Sequence, residues 1–203
     1  MSIATYAELQ AAIGSWMKRS DLTSLAPDFV ALAESRINRD LRLRRQIKTA
    51  TLTTVAGVQS ATLPTDYLEF ENLTVETSPP QSLSVTTPEI LDRKFPEAFQ
   101  TGVPVVYAPI GNVIRLGPTP DAAYSISADY YGKWAIASDL SNWLLTNAPM
   151  VYLAACLVEA SLYTLDDQAT AKWEARYQAE VATLQKTDDE SLRSGSAMRV
   201  RTA

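Results

Sequence analysis

The hydrophobic period of this chain changes twice, and that change constrains the fold more than any motif does. Tyr6, Leu9, Ile13, Trp16 and Met17 recur at helical spacing. Phe29, Val30, Ala33, Ile37 and Leu41 do the same, and fall within one arc of about 120° on a helical wheel. Across residues 48–134 the period becomes two. Ala50 and Leu52 alternate with threonines, and Tyr124, Ile126, Ala128 and Tyr130 alternate with Ser125, Ser127 and Asp129. Helical spacing then returns: residues 151–165 are apolar almost all round, and Ala169, Trp173, Tyr177, Val181 and Leu184 form another stripe. A segment patterned at 3.6 cannot bury the same side chains as a strand. The order predicts an α+β protein in which the N- and C-terminal helix pairs form a four-helix bundle, with an antiparallel β-rich domain inserted. The expected boundaries are 1–46, 47–136 and 137–190, followed by a flexible tail at 191–203.

Local signals place the element ends. Thr5 and Glu8 have capping-box spacing for helix one. Ser24 is the expected cap of helix two, with Pro27 in its first turn. Gly57 can turn the chain into a strand at 58–63. Leu68 and Phe70 share a parity that Leu73 and Val75 reverse, which predicts a bulge near Asn72. Residues 88–95 suit one short helix, and residues 103–108 and 112–116 read as a hairpin around a turn at 109–111. Ten of the eleven prolines fall between Gly57 and Pro149, as a turn-rich insertion requires. No long crossover helix separates the strands, so they are expected to be mostly antiparallel. Asn147 is the expected cap of the apolar helix, and Asp166 or Asp167 that of the next. After Glu190 the pattern stops.

Composition narrows the chemistry. The chain has no histidine, which removes the commonest general base and nearly every imidazole zinc site. Its single cysteine, Cys156, allows no intrachain disulfide and lies on the apolar helix, where it reads as a small buried hydrophobe. A net charge of −5 argues against general binding to nucleic acid or membranes. The start of the chain is amphipathic rather than signal-like, and the longest apolar stretch, 148–158, is too short to span a bilayer.

Within this acidic chain one basic run stands out: Arg36, Arg39, Arg42, Arg44, Arg45 and Lys48. It reads either as a solvated helix end, whose cations complement the dipole, or as an interface patch. On the wheel Arg42 and Arg45 point away from the apolar arc, whereas Arg36 and Arg39 lie beside Leu32 and Leu43. Arg193, Arg199 and Arg201, with Met198, form a second candidate contact region at the C-terminal end. Asp66, Glu69 and Glu71 invite a carboxylate-based peptidoglycan hydrolase, since paired acids can divide acid and base roles. They read equally as solvent-facing strand residues. Asp166 with Asp167, and residues 188–190, lack the glycine-bearing loop of a calcium site. No phosphate-binding glycine loop occurs, because residues 111–117 are strand material. No catalytic residue, metal ligand or cofactor site is therefore assigned. Trp134, Trp143, Trp173 and the nine tyrosines supply possible anchors for association.

These elements resemble the head-to-tail adaptor proteins of tailed bacteriophages, especially the tail-tubular-protein-A type. The resemblance covers nearly the whole chain. It rests on Tyr6-Ala7-Glu8-Leu9, on Ala33-Glu34 with Arg36-Ile37 and Asp40-Leu41-Arg42, and on Leu63-Pro64-Thr65-Asp66-Tyr67. It continues through the run from Gly111-Asn112-Val113-Ile114 to Pro118-Thr119-Pro120, Tyr130-Tyr131, Asn142-Trp143-Leu144-Leu145, Ala148-Pro149 with Tyr152, and Trp173 with Tyr177. The resemblance implies a structural, non-enzymatic subunit of a homo-dodecameric ring at the head-tail junction of a virion, made in the host cytoplasm. Such a ring docks on the portal protein, passes DNA through its lumen without specific binding, and supports the nozzle or next tail protein. It implies portal or inter-subunit contacts for the basic stretch 36–45 and the tail 193–203. A non-virion protein-binding module is the remaining alternative.

Overall fold

The capping box starts the first helix. In the computed structural model, which describes residues 3–96 and 100–194, the Thr5 side chain accepts from the Glu8 N–H and the Glu8 carboxylate accepts from the Thr5 N–H. This opens α1 (Tyr6–Met17), which Lys18 ends in the left-handed region. A 3₁₀ turn, Ser20–Leu25, leads straight into α2 (Ala26–Asp40). Ser24 does not cap α2 as expected. It lies inside that turn, and Leu25 precedes the helix with no side-chain cap, because the chain is already coiled when α2 begins. The wheel drawn through Arg45 is also corrected. Leu41 is extended, so residues 42–45 leave the helix. The Arg42 guanidinium instead donates back to the carbonyls of Asn38 and Leu41, acceptors that the helix end leaves open.

The chain then runs through β1 (Ile47–Thr53), β2 (Ser60–Thr62), β3 (Tyr67–Val75), β4 (Gln81–Ser82), β5 (Ser84–Val85), α3 (Pro88–Lys94), β6 (Val106–Ile110), β7 (Val113–Gly117) and β8 (Ser125–Gly132). One sheet has the order β1-β8-β3-β4 and is antiparallel throughout. The other has the order β2-β7-β6-β5, and its β5–β6 pair is parallel. That exception exists because α3 and the loop after it carry the chain back to the same end. The register slips between Phe70 and Asn72, where the change of parity predicted a bulge. Beyond the slip, Leu73 opposes Ala128 and Val75 opposes Ile126, so both strands keep their apolar side chains on one face. In the β6–β7 hairpin the pairing continues through Pro109 to Ile110 opposite Val113, which leaves a two-residue turn at Gly111 and Asn112. Gly111 has φ +59, the positive value that such a turn needs at its first position. Gly117 is required for space: a Cβ there would meet the Phe95 ring at 2.6 Å. Inner faces of both sheets share one core, with Leu52, Leu73, Val75, Ile114, Leu116 and Ile126 at its centre.

Four helices follow: α4 (Ile136–Asp139), α5 (Trp143–Asn147), α6 (Pro149–Tyr163) and α7 (Asp167–Ser194). Asn142 caps α5 by accepting from the Leu145 N–H at 2.9 Å. Asn147 does not cap α6. It is the last residue of α5 and donates to the Trp143 carbonyl, while Ala148 joins the two helices and Pro149 has no N–H to satisfy. Asp166 caps α7, accepting from the Ala169 N–H at 2.9 Å. α7 continues to Ser194, about three turns beyond Leu184, the last residue of its apolar stripe.

The described residues form an α+β protein with seven helices and two sheets, divided into two compact units: the described residues of 1–45 with those of 134–203, and the described residues of 46–133. In the helical unit α6 is the central element. Ten of its fifteen residues are buried, and α1, α2 and α7 each pack against it. Burying a leucine- or valine-sized side chain contributes about 1.5–3 kcal/mol, so α6 is held chiefly by packing. Among the described residues no helix is long and apolar enough to cross a membrane.

Candidate functional site

The basic run separates into cations used by the fold and cations left outside it. Arg36 lies 3.0 Å from a Glu159 oxygen and 2.5 Å from a Glu174 oxygen, with its guanidinium 5.8 Å from the Tyr177 ring centre. Only a fifth of its side chain is exposed, so it ties α2 to α6 and α7. Arg42 closes the end of α2, as described above. The Arg44 backbone N–H donates to the Asp188 carboxylate at 3.2 Å, and its guanidinium reaches the same carboxylate and the Asp188 carbonyl. Arg39, by contrast, is 72 % exposed beside Asp40, and Arg45 is exposed.

Arg45 lines a cleft of about 540 Å³ in the helical unit. Leu43, Trp143 and Leu184 supply its apolar wall, and Thr187, Asp188 and Ser191 its polar side. Arg44 holds Asp188 here, so Arg45 supplies the cleft's outward positive charge. Arg193 lies in α7, with its side chain outside what is described, and Met198, Arg199 and Arg201 lie outside the described residues.

Of the acids singled out in the β unit, Asp66 has structural partners. Asp66 accepts from Lys48 Nζ at 2.6 Å and from the Tyr130 hydroxyl at 2.9 Å. Burial pushes its carboxyl up, but the Lys48 and Tyr130 hydrogen bonds outweigh that and hold it below the usual aspartate range. A glycosidase acid requires the opposite shift. Burial and the same hydrogen bond push Tyr130 up to about 12. Glu69 is paired in register with Tyr131, and Glu71 sits in the bulge. Among the described residues no group of three or more acidic or cysteine side chains is placed to hold a metal ion. Cys156 is fully buried, and burial raises its thiol pKa. Of the tryptophans, Trp134 is core, Trp143 borders the cleft, and Trp173 meets Trp16 edge-to-face at 5.5 Å.

Two residues of this region escaped notice as sites. Glu34 accepts from the Ile136 N–H at 2.5 Å and from the Tyr152 hydroxyl at 3.2 Å. Asn38 accepts from the Trp134 N–H at 2.8 Å and donates to the Trp134 carbonyl at 2.9 Å. Both anchor the segment at which the chain re-enters the helical unit. Their signal was an i,i+4 pair of polar residues flanking the Ala33–Ile37 stripe, and nothing local named the partners.

Among the described residues, the arrangement consists of internal ties and one cleft in the helical unit. The SU10 adaptor protein family model matches residues 4–201. No curated protein matches the chain. With nearly its whole length spanned by that model, the chain belongs to the SU10 adaptor protein family, a family of phage head-to-tail adaptors.

Proposed function

We propose that this chain is a non-enzymatic structural subunit that forms a homo-oligomeric ring, dodecameric in the type it resembles, at the head-tail junction of the virion. The ring docks on the portal protein, extends the DNA channel, and presents a platform for the nozzle or next tail protein, in the manner of the tail-tubular-protein-A type. In this reading the N- and C-terminal helix pairs act as one four-helix bundle. That bundle and the tail at 193–203 face the portal, while the β-rich insertion faces the tail. The observation that carries the reading is the family match across residues 4–201. The net charge of −5 supports it, since a conduit should not retain phosphates. So does the exposure of Arg39 and Arg45, which leaves two cations of the basic run available to a partner.

Mixing the purified chain with portal rings, followed by light scattering and imaging, tests this directly. A stoichiometric complex with a coaxial ring is expected, and its absence at saturating concentration contradicts the adaptor role. Removing residues 195–203 should weaken that complex and leave the helical unit folded.

A further inference from the structure

The most exposed large hydrophobic side chain in the described protein is Leu165, 88 % accessible, at the corner between α6 and α7. Its φ is +56, the left-handed position that closes a helix and that glycine normally fills. The corner is nonetheless well formed: the Leu165 N–H donates to the Leu162 carbonyl and the Asp166 N–H to the Ser161 carbonyl. A leucine here strains the backbone and buries almost nothing in its own chain. Tyr163 and Leu162 beside it are 61 % and 47 % exposed, and Asp166 and Asp167 follow directly. The corner is an apolar knob with an acidic base.

At the far end of the same helix lies its complement. The cleft bounded by Leu43, Trp143 and Leu184 carries the outward charge of Arg45, and its volume is in the range that takes side-chain-sized apolar groups. A rise of 1.5 Å per residue puts Asp167 and Thr187 about 30 Å apart along α7. The rigid helix therefore prevents a chain from filling its own cleft with its own corner.

We infer that the α6–α7 corner of one copy inserts Leu165 into the Leu43–Trp143–Leu184 cleft of the next, with Asp167 facing Arg45. This deepens the proposed function, resting on its ring of identical copies, and identifies a contact for it. The two surfaces differ, so the contact is heterologous; it repeats head to tail and closes into a ring where the rotation permits.

Site-directed cross-linking tests the contact on the full chain. Cys156 is buried, so introduced cysteines are the reactive ones. Copies carrying Gln168→Cys are mixed with copies carrying Thr187→Cys, both exposed positions, and treated with a short bis-maleimide. Cross-linked pairs are expected well above those formed with an Ala175→Cys control at mid-helix. Adding Leu165→Gly, which suits the left-handed backbone, should reduce the cross-link by about fivefold or more without loss of thermal stability. Arg45→Glu should do the same, and combining it with Asp167→Arg should restore the product. Cross-linking no greater than the control, or unaffected by Leu165→Gly, overturns the proposal. Protection of Thr187→Cys that disappears on truncation after Ser194 would assign the cleft to residues 195–203 instead. Portal binding is scored separately, so a chain that binds portal without this cross-link refutes the contact and leaves the adaptor role standing.

Discussion

The carboxamide of Asn38 makes both of its hydrogen bonds to one residue, accepting from the Trp134 N–H and donating to the Trp134 carbonyl. One side chain on α2 thereby satisfies the backbone of the first residue to return to the helical unit. Replacing Asn38 with alanine leaves two partly buried backbone groups unpaired, an expected loss of about 1–3 kcal/mol. Denaturant unfolding monitored by helical circular dichroism measures it. Asn38→Asp, which keeps only the acceptor, should fall between the two.

Glu34 sets a pH dependence four residues earlier. Burial raises its carboxyl pKa, and the hydrogen bonds from the Ile136 N–H and the Tyr152 hydroxyl offset this only in part. A folded value above the unfolded one of about 4.3 gives stability that is fully present below that pH and lost as pH rises through the folded value. Glu34→Gln keeps an acceptor and removes the charge. Its unfolding free energy should match the parent near pH 4 and exceed it at pH 7. Equal stabilities at both pH values would contradict the burial of this carboxylate.

Asp66 behaves in the opposite sense. Burial raises it, but Lys48 and Tyr130 hold its folded pKa below the unfolded value of about 3.9, so its contribution is present above that pH and lost as pH falls through the folded value. Asp66→Asn should cost about 1–2 kcal/mol at pH 7 and progressively less in acid. Hydrogen exchange of the β1 and β8 amides, near Lys48 and Tyr130, reports the change where it occurs.

Cys156 is a built-in probe of the helical core. It is fully buried on α6 with a raised thiol pKa. The native protein should not react with a thiol reagent on the timescale of minutes, and it should react fully after denaturation. Leu157→Ala removes a large side chain beside it, at an expected cost of about 2–5 kcal/mol, and should increase labelling in proportion to the population that opens.

The α+β class, the helix-strand-helix order, the Thr5–Glu8 cap, the bulge near Asn72 and a cap for α7 at Asp166 or Asp167 were legible, because each depends on residues close together in the chain; the structure chose Asp166. The errors at Ser24 and Asn147 share one cause. A residue that can cap does so only where a helix begins beside it, and at both positions the preceding segment was already helical. The candidate site was less legible. Arg36, Arg42, Arg44 and Arg45 are equivalent in composition, yet their partners separate them: Glu159 and Glu174 for Arg36, the α2 carbonyls for Arg42, Asp188 for Arg44.

What the chain determined by itself was periodicity, and with it the kind of element and the side chains each would bury. What only the tertiary structure decided was the relation between residues distant in sequence: Glu34 with Ile136, Asn38 with Trp134, Arg44 with Asp188, and Arg45 with the C-terminal part of α7, far from the Leu165 corner that precedes that helix. The physical reason is range. Backbone periodicity acts over a few residues, whereas a charge or an amide finds its partner only after packing has brought remote segments together.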